Sequence, residues 1–503
     1  MKTPLLCSLA CLLVSSTFAA PERGPSTFCN PLPIPNYPIG RAARNMMNGD
    51  PVGTDQLWYS ETKEQFRELA DPTALWLDGK WYLYPSVDMA WVSSDLGATW
   101  QHHPLNNTRD VGYAPTVVQF RGKFYLTASW ADLYVSDNPL GPFTSLGRLQ
   151  IDSASGAAGF IDPMLFADGD RLYVYWGCTK NGGIWGAELS GASPTTLLTR
   201  PKELIRFSPA SQPWERLGAS NQTPDAGWME GAWMLKRNGR YYLTYSAAGT
   251  QYRTYAMGCY TSSSPLGDFT AQKRNPILRT VEGLVTGTAH GCIVPGPENQ
   301  LWAFYCVRSS VVHGFERRIG MDRAFIDANE ELYVPEATSS PQWLPGRTPS
   351  DKSASFEAFI PQNISQPAVA SSSAPNLRAR LAVDNDLLTW WEPAASDVRP
   401  TLTCTLEAPA RISAVRLIWR DVGLDTGRGV VPGPFRYLVE AETEPGVWQV
   451  ILDRSESQED LLVDYRETVP TVTSKVRLTV VAWPKGIRPG VAEFTSFAPS
   501  KQN

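Results

Sequence analysis

The chain has 503 residues, too many for one ordinary core, so two or more domains are expected. Its net charge of −5 comes with no clustered Lys/Arg block, which excludes nucleic acid as a partner. The aromatic share is high, with 18 Trp and 19 Tyr; this suits β-rich cores and, in a pocket, the C–H faces of sugar rings.

Residues 1–20 have the layout of a secretion signal: Lys2, an apolar stretch from Leu5 to Val14, then small residues at Ala19 and Ala20. That stretch is too short to span a bilayer, and no later segment is apolar enough, so no membrane span is expected. The product is expected to be secreted or periplasmic. Beyond this segment six cysteines remain: Cys29, Cys178, Cys259, Cys292, Cys306 and Cys404. An even number permits disulfides, while their places in predicted strands equally suit buried thiols. None has metal-ligand spacing.

Residues 21–70 form a Pro-rich lead-in containing Asn30-Pro-Leu-Pro-Ile-Pro-Asn-Tyr. From 71 to 340 a pattern recurs. It reads Asp71-Pro-Thr-Ala-Leu-Trp-Leu-Asp-Gly-Lys-Trp-Tyr-Leu, then Ala114-Pro-Thr-Val-Val-Gln-Phe-Arg-Gly-Lys-Phe-Tyr-Leu. It continues as Asp162-Pro-Met-Leu-Phe-Ala-Asp-Gly-Asp-Arg-Leu-Tyr-Val and Glu230-Gly-Ala-Trp-Met-Leu-Lys-Arg-Asn-Gly-Arg-Tyr-Tyr-Leu, with a looser fifth copy from Gly287. Repeats of about 40–60 residues built from strands and Gly turns predict a five-bladed β-propeller. The stretch 190–228 is long for a connection and reads as a loop beside the pocket. Residues 341–375, rich in Pro and Ser, read as a linker. From 376 to 503, runs such as Lys475-Val-Arg-Leu-Thr-Val-Val alternate with period two, which predicts a β-sandwich. The fold class is therefore all-β.

Three copies open on a carboxyl at one register position: Asp71, Asp162 and Glu230. Equivalent positions in a propeller converge on its axis, so these acids should meet. Glycoside hydrolysis needs such a set, one group protonated to release the leaving oxygen and one ionised to activate water or attack. Neighbouring charges split their pKa values. A lone Asp before Pro merely caps a turn; three acids in register argue for chemistry.

The motifs Ala70-Asp-Pro72, Tyr113-Ala-Pro115, Ile161-Asp-Pro163, Met229-Glu-Gly231 and Gly287-Thr-Ala-His-Gly291, in this order, resemble glycoside hydrolase family 43 over roughly residues 29–340. The resemblance implies an inverting glycosidase on a five-bladed propeller. It implies Asp71 as general base, Glu230 as general acid and Asp162 as pKa modulator. It further implies His290 facing the axis with a metal, and Arg317 contacting substrate. Arg318 is its neighbour that alternation points away. Trp91 and Trp130 are candidates to line the pocket. The C-terminal unit is similar to discoidin-like, factor 5/8 type C modules of the galactose-binding-like jelly-roll fold. The matching residues are Asp384-Asn-Asp-Leu-Leu-Thr-Trp-Trp391, Phe435-Arg-Tyr437, Gly446-Val-Trp448, Val476-Arg-Leu478 and Ala492-Glu-Phe494. This nominates Asp384, Thr389 and Glu493 for a structural calcium, and the module as a brace. No cofactor is expected for the chemistry.

The expectation is an exo-acting enzyme that removes terminal α-L-arabinofuranosyl or β-D-galactofuranosyl units from a carbohydrate polymer or oligosaccharide. Its rivals are a β-xylosidase, an exo-galactanase, an endo-acting arabinan hydrolase and a catalytically silent sugar-binding propeller.

Overall fold

Two-residue turns between the first and second strands organise four of the repeats. Asp78 and Gly79, Arg121 and Gly122, and Asn238 and Gly239 all have positive φ, the geometry that matches hairpin twist; Gly169 supplies it alone in the third copy. The computed structural model describes residues 24–36, 57–59, 65–86, 89–105, 111–151, 160–309, 316–348, 356–425 and 428–500. The predicted signal segment lies outside these.

The repeats fold as five antiparallel four-stranded blades. Blade 1 is Thr73–Leu77, Lys80–Tyr84, Met89–Ser93 and Gln101–Pro104. Blade 2 is Thr116–Phe120, Lys123–Thr127, Tyr134–Ser136 and Thr144–Ser145. Blade 3 is Met164–Asp168, Arg171–Trp176, Gly183–Leu189 and Lys202–Arg206. Blade 4 is Trp228–Arg237, Arg240–Ala247, Ala256–Ser262 and Thr270–Ala271, with Thr179–Lys180 added beside its first strand. Blade 5 is Ala289–Pro295, Leu301–Arg308, Arg317–Ile326 and Leu332–Tyr333. First strands neighbour one another around the ring, and that of blade 5 meets that of blade 1. Among the described residues no helix is long and apolar enough to cross a membrane.

Two expected boundaries move. Part of the lead-in belongs to the propeller, because Phe28, Leu32 and Ile34 are buried in its core. Asn30 exchanges hydrogen bonds with the backbone of Met321. The described part of the predicted linker 341–375 carries three short strands: Gln342–Trp343 pairs with Thr27–Phe28, and Phe359–Pro361 and Ala368–Ala370 join the C-terminal sheet. Short edge strands tolerate the Pro and Ser that suggested a tether. The stretch 190–228 likewise contains the outer strand of blade 3, Lys202–Arg206.

The C-terminal part is one seven-stranded antiparallel sheet. Its strand Thr401–Val422 pairs through one half with 475–479 and through the other with 488–497. The sheet thereby encloses its own core around Trp391, Trp419, Tyr437 and Phe494. All six cysteines are free thiols.

Candidate active site

One residue in each blade, just before or at the start of its first strand, takes a left-handed backbone: Asp71, Ala114, Asp162, Gly231 and His290. All five line one narrow axial cavity. The turn is pinned from the preceding blade. The N–H groups of Ala114, Asp162 and His290 donate to the hydroxyls of Ser86, Ser129 and Ser246, and Asp71 N–H donates to Cys306 Sγ where the ring closes. In blade 4 the left-handed residue is Gly231, not Glu230. An irregularity in pairing between Glu230 and Trp233 places the Glu one residue earlier than its apparent register. Glu230 still comes within 4.8 Å of Asp162, which the repeat alone did not guarantee.

Asp71 is 4% exposed. Its Oδ1 accepts from Arg317 Nη1 at 2.7 Å and its Oδ2 from Ser86 Oγ at 2.7 Å and Arg317 Nη2 at 3.1 Å. Burial alone would raise its pKa; Arg317, then His290, Ser86 and Cys306, outweigh this and hold it below the usual carboxylate value. Arg317 is fixed by Glu68, whose Oε1 accepts from Nε at 2.7 Å, and by Thr250 Oγ1 at 3.2 Å from Nη1. Arg318 faces away, donating to the Arg67 carbonyl.

Asp162 is 6% exposed and Glu230 8%. Burial pushes Asp162 up to about 7; His290 opposes this, while Glu230 and Asp71 add to it. Gly231 N–H donates to Asp162 Oδ2 at 3.4 Å. Glu230 accepts from the Tyr255 hydroxyl at Oε1 and from the Cys178 thiol at Oε2, 3.3 Å away. Trp228 Nε1–H in turn donates to that sulfur at 3.2 Å. Asp162, Glu230 and Cys178 each bring one polar atom within 4.8 Å of the others.

His290 lines the axial cavity, with Nδ1 3.2 Å from Asp71 Oδ1 and 3.9 Å from Asp162 Oδ2. Burial would lower its pKa, but Asp71, Asp162 and Glu230 raise it. Calcium prefers six to eight oxygen donors. Among the described residues His290 belongs to no group of three close His, Cys, Asp or Glu donors. These residues do not fit a calcium held at the axis by side chains.

The two tryptophans separate. Trp91 is not at the site: it is fully buried in the propeller core, its indole N–H bonded to the Pro35 carbonyl. Alternation along Met89–Ser93 turns it inward. Trp130 is exposed, with φ of 62°, next to Ser129, which holds Asp162. Glu68, Tyr255, Cys178 and Cys306 escaped the sequence reading. Only the serines left a trace, as small hydroxyl residues after or at the end of second strands.

In the C-terminal sheet the expected cation residues do gather. Thr389 Oγ1 donates to Asp384 and lies 3.2 Å from the carbonyl of Asp386 and 3.4 Å from that of Leu381. Asn385 N–H donates to Glu493 Oε2 at 2.9 Å. Glu493 is fully buried and pushed up to about 8, by burial first, with Arg416 offsetting only part and Asp384 adding. Asn385 Oδ1 is buried without a partner. As with His290, Asp384 and Glu493 belong to no group of three close His, Cys, Asp or Glu donors among the described residues; the other oxygens here are those of Thr389, of Asn385 and of backbone carbonyls.

The family model for glycosyl hydrolases family 43 matches residues 67–331, just over half of the chain. A xylosidase/arabinosidase of Bacteroides ovatus is 28% identical over 279 residues, covering 43% of this chain and 80% of that protein. A β-xylosidase of Xylanibacter ruminicola is 29% identical over 277 residues, covering 43% and 82%. A β-D-galactofuranosidase of Aspergillus niger is 26% identical over 259 residues, covering 44% and 69%. With its five blades and this match, the chain belongs to glycosyl hydrolases family 43 and is an inverting glycoside hydrolase.

Proposed function

We propose that this enzyme removes single terminal furanosyl units, α-L-arabinofuranosyl or β-D-galactofuranosyl, from polysaccharides, with Asp71 as general base, Glu230 as general acid and Asp162 as pKa modulator. One observation carries the reading: Asp71 and Asp162 line one axial hollow, Glu230 brings a carboxylate oxygen within 4.8 Å of Asp162, and all three acids, from three blades, are less than a tenth exposed.

The environments divide the labour. Asp71, held ionised by Arg317 and His290, draws a proton from the attacking water. Asp162, pushed up to about 7 chiefly by burial, keeps a proton near neutrality within 4.8 Å of Glu230. That proton passes through Glu230, the longer side chain, to the leaving oxygen. Inversion leaves room for water with acid and base roughly 6.5–9.5 Å apart. Arg317 serves as the base's counter-charge as well as a substrate contact, and Trp130 offers an exposed ring at the rim.

The named relatives supply the sugar classes: xylosidase, arabinosidase and galactofuranosidase. A β-xylosidase is the second reading, favoured by the name of the Xylanibacter relative. Nitrophenyl arabinofuranoside, galactofuranoside and xyloside separate the two; turnover of xyloside alone would overturn the furanosidase reading. The C-terminal sheet is proposed as a discoidin-like module that carries a structural calcium at Asp384, Thr389 and Glu493. Secretion rests on the signal-like residues 1–20.

A further inference from the structure

Among the described residues the C-terminal sheet meets the propeller at two ion-pair anchors, and each anchor adjoins residues that hold the catalytic carboxyls. At the first, Arg67 is fully buried between two acids of the sheet. Its Nη2 lies 2.5 Å from Asp421 Oδ2 and 3.1 Å from Asp460 Oδ1, and its Nη1 contacts Asp460 Oδ2. Asp460 is in turn tied to Asn36, which donates to its Oδ1 at 3.0 Å. At the second anchor, Arg253 Nη2 meets Asp386 at 2.6 Å, within the loop that carries Asp384 and Thr389.

The first anchor lies four residues before Asp71, and the intervening backbone is tied at Arg67, Leu69 and Ala70. The Arg67 carbonyl accepts from Arg318, Leu69 N–H donates to the Arg317 carbonyl at 3.1 Å, and Ser86 N–H donates to the Ala70 carbonyl at 2.7 Å. Glu68, between them, grips Arg317. The second anchor lies on the segment that supplies Thr250 to Arg317 and Tyr255 to Glu230. Both routes reach Arg317, although the sheet residues lie 354 and 393 positions from Arg67 at the first anchor and 133 from Arg253 at the second.

We propose that Arg67 is a positioning residue for Asp71: the clamp of Asp421 and Asp460 fixes residues 67–71, so that Glu68 aims Arg317 at the base, and the C-terminal sheet thereby completes the active site. This rests on the reading of Asp71 as base. A buried guanidinium that loses one of its two carboxylates keeps a counter-charge but loses the charge-assisted hydrogen bonds that fix its plane, and it turns toward the acid that remains. Glu68 then moves with it, and Arg317 loses its two-pronged hold on Asp71. The groups that face Asp71 are Arg317, His290, Glu68, Asp162, Cys306, Tyr113 and Tyr255; those that face Arg67 and its acids are Asp421, Asp460 and Arg318. Glu68, through its grip on Arg317, and the Leu69 N–H bond to the Arg317 carbonyl couple the two sets. Loosening Arg317 leaves Asp71 less favoured as an anion.

The test uses the full chain with Asp421→Asn, Asp460→Asn and Arg67→Lys, each assayed across pH on a nitrophenyl glycoside that the parent enzyme hydrolyses. The expected result is a fall in kcat/KM of about tenfold or more and a shift of the acidic limb to higher pH by about half a unit, since that limb reports the free enzyme's base. Glu459→Gln breaks ion pairs to Arg454 and Arg466 inside the sheet and is the control; it lowers thermal stability without moving the limb. Folded anchor variants whose pH profiles superimpose on the parent's would overturn the proposal. Arg67→Lys keeps the charge and loses the fork, so it decides the matter if an Asn variant does not fold. Asp71→Asn separates the two levels. If it retains turnover, the base assignment fails; if it is dead while the anchor variants behave as the parent, only the coupling fails.

Discussion

At the residue scale the site sorts its carboxyls by their company. Asp71 has a guanidinium fork and two further donors; Asp162 has another carboxyl and apolar burial. Asp71→Asn is expected to lower kcat by about a thousandfold, the usual scale for losing a general base, with KM little changed. Glu230→Gln should lose most activity on natural linkages and much less on dinitrophenyl glycosides, whose leaving groups need no proton. Equal loss on both substrates would remove its acid role. Arg317→Lys replaces a planar fork with a point charge. Since Arg317 is the main influence holding Asp71 down, the acidic limb of kcat/KM should move to higher pH in that variant.

At the element scale each blade presents one left-handed residue to the axis, its amide held by a side chain of the blade before it. Such a backbone is costly for any residue with a Cβ. Asp71, Ala114, Asp162 and His290 adopt it nonetheless, whereas blade 4 uses Gly231. A Cβ added at Gly231 would stand 3.0 Å from His290 Cδ2 and Cγ. Gly231→Ala should therefore cost about 1–3 kcal/mol of stability and also displace the imidazole from Asp71 and Asp162. Thermal melting and kcat together check this; an unchanged kcat would mean that the imidazole's place does not matter to the chemistry.

On the scale of the whole molecule, burial has left several carboxyls without a full cationic partner. Asp322, which accepts from Tyr305 and Thr338 in blade 5, is pushed up to about 7 by burial, and Glu493 in the sheet to about 8. Each binds a proton in the folded chain that the unfolded chain has already lost above about pH 4. Their stabilisation is therefore complete below about pH 4 and is lost as pH rises through 7 and 8. Asp71 has the opposite sign, with its stabilisation lost as pH falls through its depressed value. The melting temperature should thus be highest in mild acid and decline toward pH 8, as a calorimetric series would record. Calcium should reverse part of the alkaline decline by neutralising Glu493, and Glu493→Gln should abolish that calcium response.

The blades were legible in the sequence because their causes are local. Alternating aromatics, an Asp-Gly or Asn-Gly turn and an Asp-Pro entry each act within a dozen residues, and repetition multiplies the signal. Asp71, Asp162, Glu230, His290 and Arg317 could be named for the same reason, through motifs that recur or resemble a family. Their surroundings could not. Cys306 reaches Asp71 only because blade 5 closes on blade 1, and Arg67 meets Asp421 and Asp460 only because the last sheet docks on the ring. The one-residue offset of Glu230, the inward turn of Trp91 and the strands hidden in residues 341–375 likewise depend on neighbours from elsewhere in the chain. The sequence by itself determined which segments become strands and which acids are available. Tertiary structure decided which acid keeps its proton, because desolvation and opposing charge come from residues brought close by ring closure and docking.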